Sequence, residues 1–289
     1  MIESCVFTDE ISRDFETAVK TCAELHVRYV EPRGVWDTDI NAIDIDGAKK
    51  MKKVLDRYGV RVGIIGSGYG KCRIDDDDEW ERHQKILERQ FAFCDLFGTR
   101  IIRCFPFSFP EGFAWRTERP PLEDYLEQIV EKFKSPAEKA EREGIVLSFE
   151  TEPSTFSGSC FEVKTILDAL DSSALSCCWD IANSWHFGTV AYPDGYKQVR
   201  GTVTHVHVKD IKLDPDDHTK PAGMTHIDLG DIPYHDIFGE LIKDSYDGLA
   251  SVETHLFSEM ANKFRWLKPA TEAALRNLNR VLAEVQRAF

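Results

Sequence analysis

Side chains that commonly bind metal ions end four segments in the second half of the chain. Glu150 ends Ile-Val-Leu-Ser-Phe-Glu, Asp180 ends Leu-Ser-Cys-Cys-Trp-Asp, Glu253 ends Leu-Ala-Ser-Val-Glu, and His207 lies within 204–210, Thr-His-Val-His-Val-Lys-Asp. Polar and apolar residues alternate there with the period of a β-strand, so these four side chains are expected on one face. Three carboxylates and one imidazole converging at strand ends would provide a ligand set for one divalent cation.

Other polar side chains are expected near the same strand ends as candidate substrate contacts. They are Glu31, Arg103, Lys209, His186 and His226. Glu31 and Arg103 end strands, and a structural ion pair is as good an interpretation of them as a substrate contact. Three loop aromatics could cover a sugar ring or pack in the core, namely Trp36, Trp115 and Trp185. His205 lies two residues before His207, deeper in the fold, and is expected to be a hydrogen-bonded structural residue.

Eight alternating strand and helix units must position these side chains. Strands are expected at 4–7, 28–31, 60–65, 100–104, 145–150 and 175–180, with two more ending at about Lys209 and at Glu253. Helices are expected at 14–25, 48–58, 80–97, 122–142, 161–170, 234–243 and 268–288, and segments 66–70 and 210–233 are expected to be loops. This pattern predicts one α/β domain over residues 1–289, a (β/α)₈ TIM barrel. An open doubly wound sheet is the alternative, but it would not readily bring four strand ends to one ion.

Composition limits the partners that the chain is expected to have. Its 289 residues carry a formal net charge of −14, and no basic cluster indicates nucleic-acid binding. No apolar run approaches the roughly 18 residues of a membrane span, and the first residues do not resemble a secretion signal. The eight cysteines lack a C-x-x-C pair and are expected to be reduced thiols in a cytoplasmic protein. The expected partner is a small molecule, and a homo-oligomer is left open.

The motifs resemble those of a known family along nearly the whole chain. They are Phe-Thr-Asp-Glu-Ile at 7–11, Tyr-Val-Glu at 29–31, Phe-Glu at 149–150, Trp-Asp-Ile-Ala-Asn at 179–183, His-Val-Lys-Asp at 207–210 and Val-Glu at 252–253. The chain resembles the xylose isomerase-like TIM barrels, the sugar phosphate isomerases/epimerases, which include ketose 3-epimerases, inosose dehydratase-like enzymes and, more distantly, endonuclease IV.

The resemblance implies that Glu150, Asp180, His207 and Glu253 bind one divalent metal. Two positions depart from the family pattern, since Asn183 stands where many members have His and Glu152 where His or Asn is common. These departures bear on the substrate, and Asn183 is a further candidate substrate contact. The extra histidines of endonuclease IV-like members are missing at 63–66 and 103–105, which argues against DNA repair.

An isomerase or epimerase is the expected activity, acting on a ketose, sugar phosphate or keto-glycoside through a metal-stabilised enediolate. Glu150 and Glu253 are the expected acid and base. A lyase using the same proton abstraction, by dehydration or 3-keto-glycoside elimination, is the first alternative, and an inert sugar-binding protein is the second. Mn²⁺ is the expected ion, with Mg²⁺, Co²⁺ and Zn²⁺ as alternatives, because the ligand set is rich in oxygen and contains no thiolate.

Overall fold

The structure is a computed structural model that describes residues 1–114, 116, 118–255 and 263–289, with 263–267 described by their backbone alone. Its strands are β1 (Glu3–Val6), β2 (Tyr29–Val30), β3 (Gly34–Val35), β4 (Thr38–Asp39), β5 (Arg61–Val62), β6 (Ile65–Tyr69), β7 (Ile101–Cys104), β8 (Val146–Glu150), β9 (Leu175–Asp180), β10 (Val203–Val208), β11 (Asp210–Asp214), β12 (Asp217–Thr225) and β13 (Leu249–Val252). Its α-helices are α1 (Phe15–Glu24), α2 (Ile45–Tyr58), α3 (Asp77–Phe97), α4 (Leu126–Glu143), α5 (Cys160–Leu170), α6 (Ile181–His186), α7 (Tyr196–Val199), α8 (Tyr234–Lys243) and α9 (Lys263–Arg287).

Parallel strands form the predicted α/β barrel. Seven of them pair in the order β1-β13-β10-β9-β8-β7-β6, and β2 pairs separately with β5. Backbone hydrogen bonds join β2 to β1, with Glu31 N donating to Val6 O at 2.8 Å and Thr8 N donating to Glu31 O at 3.2 Å. Since β5 and β6 are two halves of one barrel strand, these contacts close a (β/α)₈ arrangement.

The outer faces of the barrel strands carry the apolar residues that the alternation predicts. Phe149 and Trp179 are fully buried. The Phe149 ring lies 5.0 Å from that of Phe133 on α4, and Trp179 stacks on Tyr196 of α7 at 5.1 Å. Burying an aromatic side chain of this kind contributes roughly 1.5–3 kcal/mol, so these contacts fix the strands against the helices.

The predicted helices are present, but several starts differ from the prediction: α3 begins at Asp77 rather than at 80, and α4 begins at Leu126 rather than at 122. Asp76 caps α3 by accepting a hydrogen bond from Glu79 N at 2.8 Å. Gly98 ends the same helix with a φ of +73°, in the left-handed region that glycine adopts without strain.

Among the described residues, no helix is both long enough and apolar enough to cross a membrane. All eight cysteines are buried and unpaired, as predicted.

The strand predicted at 60–65 and the loop predicted at 66–70 are wrong in their boundaries. The strand is interrupted after Val62, and the glycine-rich segment continues it as β6, pairing Ile65 with Ile102 and Tyr69 with Cys104. Glycine disfavours strands locally, but pairing with β7 overrides that preference. Gly63 lies at the interruption, where a Cβ would come 2.1 Å from Leu249 Cδ1.

The segment 210–233, predicted as a loop, contains an antiparallel hairpin. β11 pairs with β12 from Asp210↔Thr225 to Asp214↔Asp217. Much of β12 is exposed and polar, and it contains Pro221 at a register shift opposite Leu213, so no apolar alternation marked it in the sequence. The hairpin directly follows the His207 strand and therefore lies at the same end of the barrel as the candidate site.

Candidate metal centre and active site

The four side chains predicted from the strand ends meet inside the barrel mouth. One ligand atom from each of Glu150, Asp180, His207 and Glu253 lies within 4.8 Å of the other three. Asp180 and His207 are fully buried, and Glu150 and Glu253 are 3% and 4% exposed. They come from the ends of β8, β9, β10 and β13, so the barrel itself creates the cluster.

His207 has one ring nitrogen turned towards this cluster and one turned away. Its Nδ1 lies 3.3 Å from Glu150 Oε1 and 3.9 Å from Asp180 Oδ2. Within the described part of the chain, no hydrogen-bond partner reaches this buried nitrogen. Its Nε2 lies 3.2 Å from Glu31 Oε2. Burial alone would lower the pKa of His207, but Cys178, Glu31 and Glu150 raise it well above its ordinary value, so the ring is cationic in this structure. A bound metal would take the place of the Nδ1 proton, and Nε2 would keep its proton against Glu31.

A divalent cation fits this donor set. Three carboxylates and one imidazole offer oxygen-rich coordination with no thiolate, the chemistry that Mg²⁺ and Mn²⁺ prefer. The buried Nδ1 of His207 without a hydrogen-bond partner is the donor that such an ion would satisfy. The two carboxylate oxygens of Asp180 have different contacts. Its Oδ1 accepts a hydrogen bond from Asn183 N at 3.0 Å, at the start of α6, and its Oδ2 faces the cluster.

Cationic side chains contact each carboxylate of the cluster. Arg103 donates from Nη1 to Glu150 Oε2 at 3.1 Å, and Arg33 pairs with Glu253. Lys209 Nζ lies 2.6 Å from Asp180 Oδ2 and 2.8 Å from Glu253 Oε2. The cluster is therefore a network of buried charges in which every carboxylate has a cationic partner.

These contacts set the protonation of the acids. Burial alone would raise the pKa of Glu150, but the charges of Arg103 and His207 outweigh it and lower the pKa to about 2. Burial acts in the same direction on Glu253, whose pKa is nevertheless held well below its usual value by His255 and Lys209. Both glutamates are therefore ionised at neutral pH. Burial raises the pKa of Asp180 to about 6, although Lys209 acts in the opposite direction.

A cavity of about 520 Å³ opens above the cluster. Four of the predicted substrate contacts line it beside Glu150 and Glu253, namely Arg103, Asn183, His186 and Lys209. The hairpin contributes Met224, and Glu152, one of the two departures from the family pattern, also lines the cavity. Further lining residues had no expected role, namely Arg33, Asp39, Gly68, Lys71, Phe105 and His255. A volume of this size and a polar wall suit a small polar molecule.

Two predicted substrate contacts lie away from this cavity. Glu31 is fully buried beneath the cluster, where its carboxylate contacts Ser251 Oγ at 2.7 Å and the two histidines of β10. The geometry therefore supports a structural role for Glu31 rather than a substrate contact. His226 follows the hairpin and is not among the described residues that line the cavity.

The loop tryptophans were expected either to cover a sugar or to pack in the core, and neither Trp36 nor Trp185 lines the cavity. Trp36 packs edge-on against Phe15, with ring centroids 5.9 Å apart, and Trp185 is buried. Trp115 lies outside the described residues. Phe105 is the aromatic residue that lines the cavity.

Arg33 and His255 contact the cluster but were missed in the sequence. His255 Nε2 lies 3.0 Å from Glu253 Oε1. His255 follows the end of β13 and has a φ of +44°, so strand alternation does not predict its position. Arg33 follows Pro32 beyond the end of β2, and no periodicity extends through that turn. Its pairing with Glu253 depends on the closure of the barrel.

Comparison with known proteins identifies the family. The sequence matches the family model described as xylose isomerase-like TIM barrel over residues 19–279. No curated protein matches it significantly. Similar solved structures include an L-ribulose 3-epimerase, with 16% identity and a TM-score of 0.72 over 100% of this chain and 97% of that chain.

Two further structures have the same fold. The probable 3-DHS dehydratase AsbF of Bacillus anthracis has 17% identity and a TM-score of 0.71 over 96% of this chain and 99% of that chain. A xylose isomerase-like TIM barrel protein of Mycobacterium smegmatis, solved in complex with magnesium, has 16% identity and a TM-score of 0.71 over 93% and 89% of the two chains. At these identities the structures show a common fold, while the family model covers most of the sequence. The chain belongs to the xylose isomerase-like TIM barrel family.

Proposed function

We propose that the protein is a divalent-metal-dependent isomerase or epimerase acting on a ketose, sugar phosphate or keto-glycoside. The observation that carries this proposal is the convergence of Glu150, Asp180, His207 and Glu253 within 4.8 Å at the floor of a polar cavity. These four residues would hold the metal, for which Mn²⁺ is our first choice. The magnesium complex of a structural neighbour agrees with an oxygen-rich site of this kind.

Glu150 and Glu253 are the proposed acid and base. Their strands, β8 and β13, are separated by β9 and β10 in the sheet order, so the two carboxylates approach the centre from opposite sides. One accepts the proton on the carbon next to the substrate carbonyl, and the other returns a proton to the opposite face. A bound divalent cation supplies Lewis acidity, which makes that carbon-bound proton more acidic. Both carboxylates are buried and ionised at neutral pH, so either can accept the substrate proton. The one that acts as the acid must first take up a proton from solvent, which it then returns to the opposite face.

The polar wall would orient the sugar. Asn183 donates from Nδ2 to Thr151 O at 2.8 Å, which fixes its amide beside the cavity. His186 has its pKa lowered by burial, so a neutral imidazole is available to hydrogen-bond a hydroxyl. The Phe105 ring can cover the apolar face of a sugar. Arg103 and Lys209 complete the wall on the side of the carboxylates.

A lyase is the second candidate. The similarity of the fold to that of a probable dehydratase, over 96% of this chain, supports keeping it. After loss of the same proton, the carbanion would expel water or an aglycone from the neighbouring carbon. Mass spectrometry separates the two activities, because elimination gives a lighter product and isomerisation leaves the mass unchanged.

Proton exchange in D₂O tests the proposal. Wild-type protein with Mn²⁺ is incubated with a panel of ketoses, ketose phosphates and 3-keto-glycosides, and deuterium at the α-carbon is followed by NMR. The matched control is Glu253→Gln, which keeps an oxygen for the metal but loses the acid–base group, so metal binding without exchange is expected. Exchange with none of the compounds would contradict both the isomerase and the lyase proposal. Binding of a panel compound without turnover would favour an inert sugar-binding protein.

A further inference from the structure

Lys209 lies inside the ligand set of the proposed metal. Its ammonium contacts Asp180 Oδ2 at 2.6 Å and Glu253 Oε2 at 2.8 Å, and the residue is 5% exposed. The alternation on β10 places it on the same side as His207, two residues further along the chain. A buried lysine that contacts two carboxylates of one four-residue cluster occupies the place of a cation.

The oxygens that Lys209 contacts are the ones left for a metal. Asp180 Oδ1 is engaged by the backbone N–H of Asn183. Glu253 Oε1 faces Arg33 and His255. Lys209 therefore contacts the remaining oxygen of each acid, and Asp180 Oδ2 also has His207 Nδ1 at 3.9 Å.

We propose that Lys209 is a resident cation of the centre that exchanges with the divalent metal. In the metal-free protein its ammonium holds Asp180 and Glu253 together against their mutual repulsion. When the metal binds, the ammonium leaves Asp180, because the two positive charges repel each other at this short range. This inference rests on the proposed function, since it takes the same four side chains as metal ligands.

The difference between the cationic side chains supports this exchange. Arg103, Arg33 and Lys209 contact the carboxylates of Glu150, Asp180 and Glu253. Arg33 is also held by Asp9 at 3.0 Å and Glu10 at 3.2 Å. Arg103 is fixed by hydrogen bonds from Nε to Ser67 O at 3.0 Å and from Nη2 to Gly66 O at 3.1 Å. Lys209 has a flexible stem, so it is the cation that can move when a dication arrives.

Removal of the Lys209 charge therefore has two opposite effects. The metal-free protein loses the ammonium that bridges the Asp180 and Glu253 carboxylates, and its melting temperature falls. No ammonium competes with the metal for the carboxylates, and the affinity of the protein for Mn²⁺ rises. A lysine that served only to orient the ligands would give the reverse result for metal affinity, so the sign of the change distinguishes the two roles.

Direct Mn²⁺ titration of chelator-stripped protein tests the inference. Calorimetry compares wild type with Lys209→Met and Lys209→Gln, and circular dichroism checks folding. Lys71→Met is the matched control, because Lys71 lines the same cavity but pairs with Glu152 at 3.0 Å. We expect affinity to rise at least about tenfold in both Lys209 variants and to stay within about twofold in the control.

The outcomes separate this inference from the proposed function. Mn²⁺ binding by wild type with unchanged or weaker binding by folded Lys209 variants overturns the exchange role alone. Binding by neither wild type nor variants removes the metal centre and with it the proposed function. Binding by the variants but not by wild type supports exchange. Should Lys209→Met not fold, Lys209→Gln decides, because its amide can still bridge the two acids without a charge.

Discussion

The carboxylate of Glu31 lies directly beneath the imidazole of His207, with Oε2 3.2 Å from Nε2. Both residues are fully buried, and they are 176 positions apart in the sequence. The contact fixes the ring so that Nδ1 faces the three carboxylates. Carboxylate–histidine pairs of this kind set the tautomer and basicity of a metal-binding imidazole.

Replacement of Glu31 by Gln should weaken metal binding without altering a cavity-lining residue. The glutamine amide lacks the negative charge that keeps the His207 proton on Nε2. We therefore expect Mn²⁺ affinity to fall roughly 10–100-fold. Calorimetric titration measures the change. Glu152→Gln is the control, since Glu152 lines the cavity but contacts no member of the cluster. Equal affinities for the Glu31 variant and wild type would show that this pair does not position the ligand.

The two histidines of β10 should differ in their effect on metal binding. His207 directs Nδ1 to the cluster, whereas His205 uses Nε2 to contact Glu31 at 3.1 Å and Ser251 at 2.8 Å. We expect His207→Ala to abolish measurable Mn²⁺ binding and His205→Ala to remain within about tenfold of wild type. Electron paramagnetic resonance of free Mn²⁺ gives both values. The same loss in the two variants would refute the assignment of His207 as the ligand.

Metal removal and replacement should change activity in a defined order. Excess EDTA is expected to stop α-proton exchange, and Mn²⁺ or Co²⁺ should restore it better than Zn²⁺. The reason is that an oxygen-rich set with open positions suits octahedral ions, whereas zinc prefers a tetrahedral set. Full activity in excess EDTA would be incompatible with the metal proposal.

The contact between Asp210 and Gly230 should fix the hairpin that carries Met224 to the cavity. Asp210 Oδ2 accepts a hydrogen bond from Gly230 N at 3.0 Å, and a Cβ on Gly230 would lie 1.8 Å from Asp210 Oδ1. We expect Gly230→Ala to lower the free energy of unfolding by about 1–3 kcal/mol. Gly223→Ala is the control in the same segment, because nothing lies within 4 Å of its Cβ position. Urea unfolding measures both, and equal stabilities would contradict the steric argument.

The buried histidine of α3, His83, should make the protein sensitive to mild acid. Its Nδ1 accepts a hydrogen bond from Gly70 N at 2.9 Å, and burial lowers its pKa below the ordinary value of 6.5. As pH falls through 6.5, the unfolded chain binds a proton before the folded protein does. The free energy of unfolding therefore decreases as the pH is lowered. Above 6.5 His83 is neutral in both states and contributes no pH dependence.

His83→Gln removes this titration and can keep an acceptor for Gly70 N. We expect the variant to lose less free energy of unfolding than wild type between pH 7.5 and pH 5.5, measured by urea unfolding at each pH. Parallel pH profiles for the two proteins would show that His83 does not titrate in the predicted direction.

The sequence alone determined the architecture and the members of the cluster. Alternation fixes which side of a strand each residue occupies, and parallel strands all end at the same rim, so Glu150, Asp180, His207 and Glu253 could be placed together from local patterns. Glycines such as Gly98 and Gly144 ended helices as predicted, because the left-handed conformation is a local property of the backbone.

Tertiary structure decided which groups contact the cluster and which do not. Arg33 contacts Glu253 across 220 positions, and Glu31 lies under His207, because closure of the barrel brings segments from the beginning of the chain beside those near its end. The continuation of β6 through its glycines, and the hairpin after Asp210, depend on pairing with other segments. Strand pairing and ion pairs between distant residues are set by packing, which no local periodicity contains.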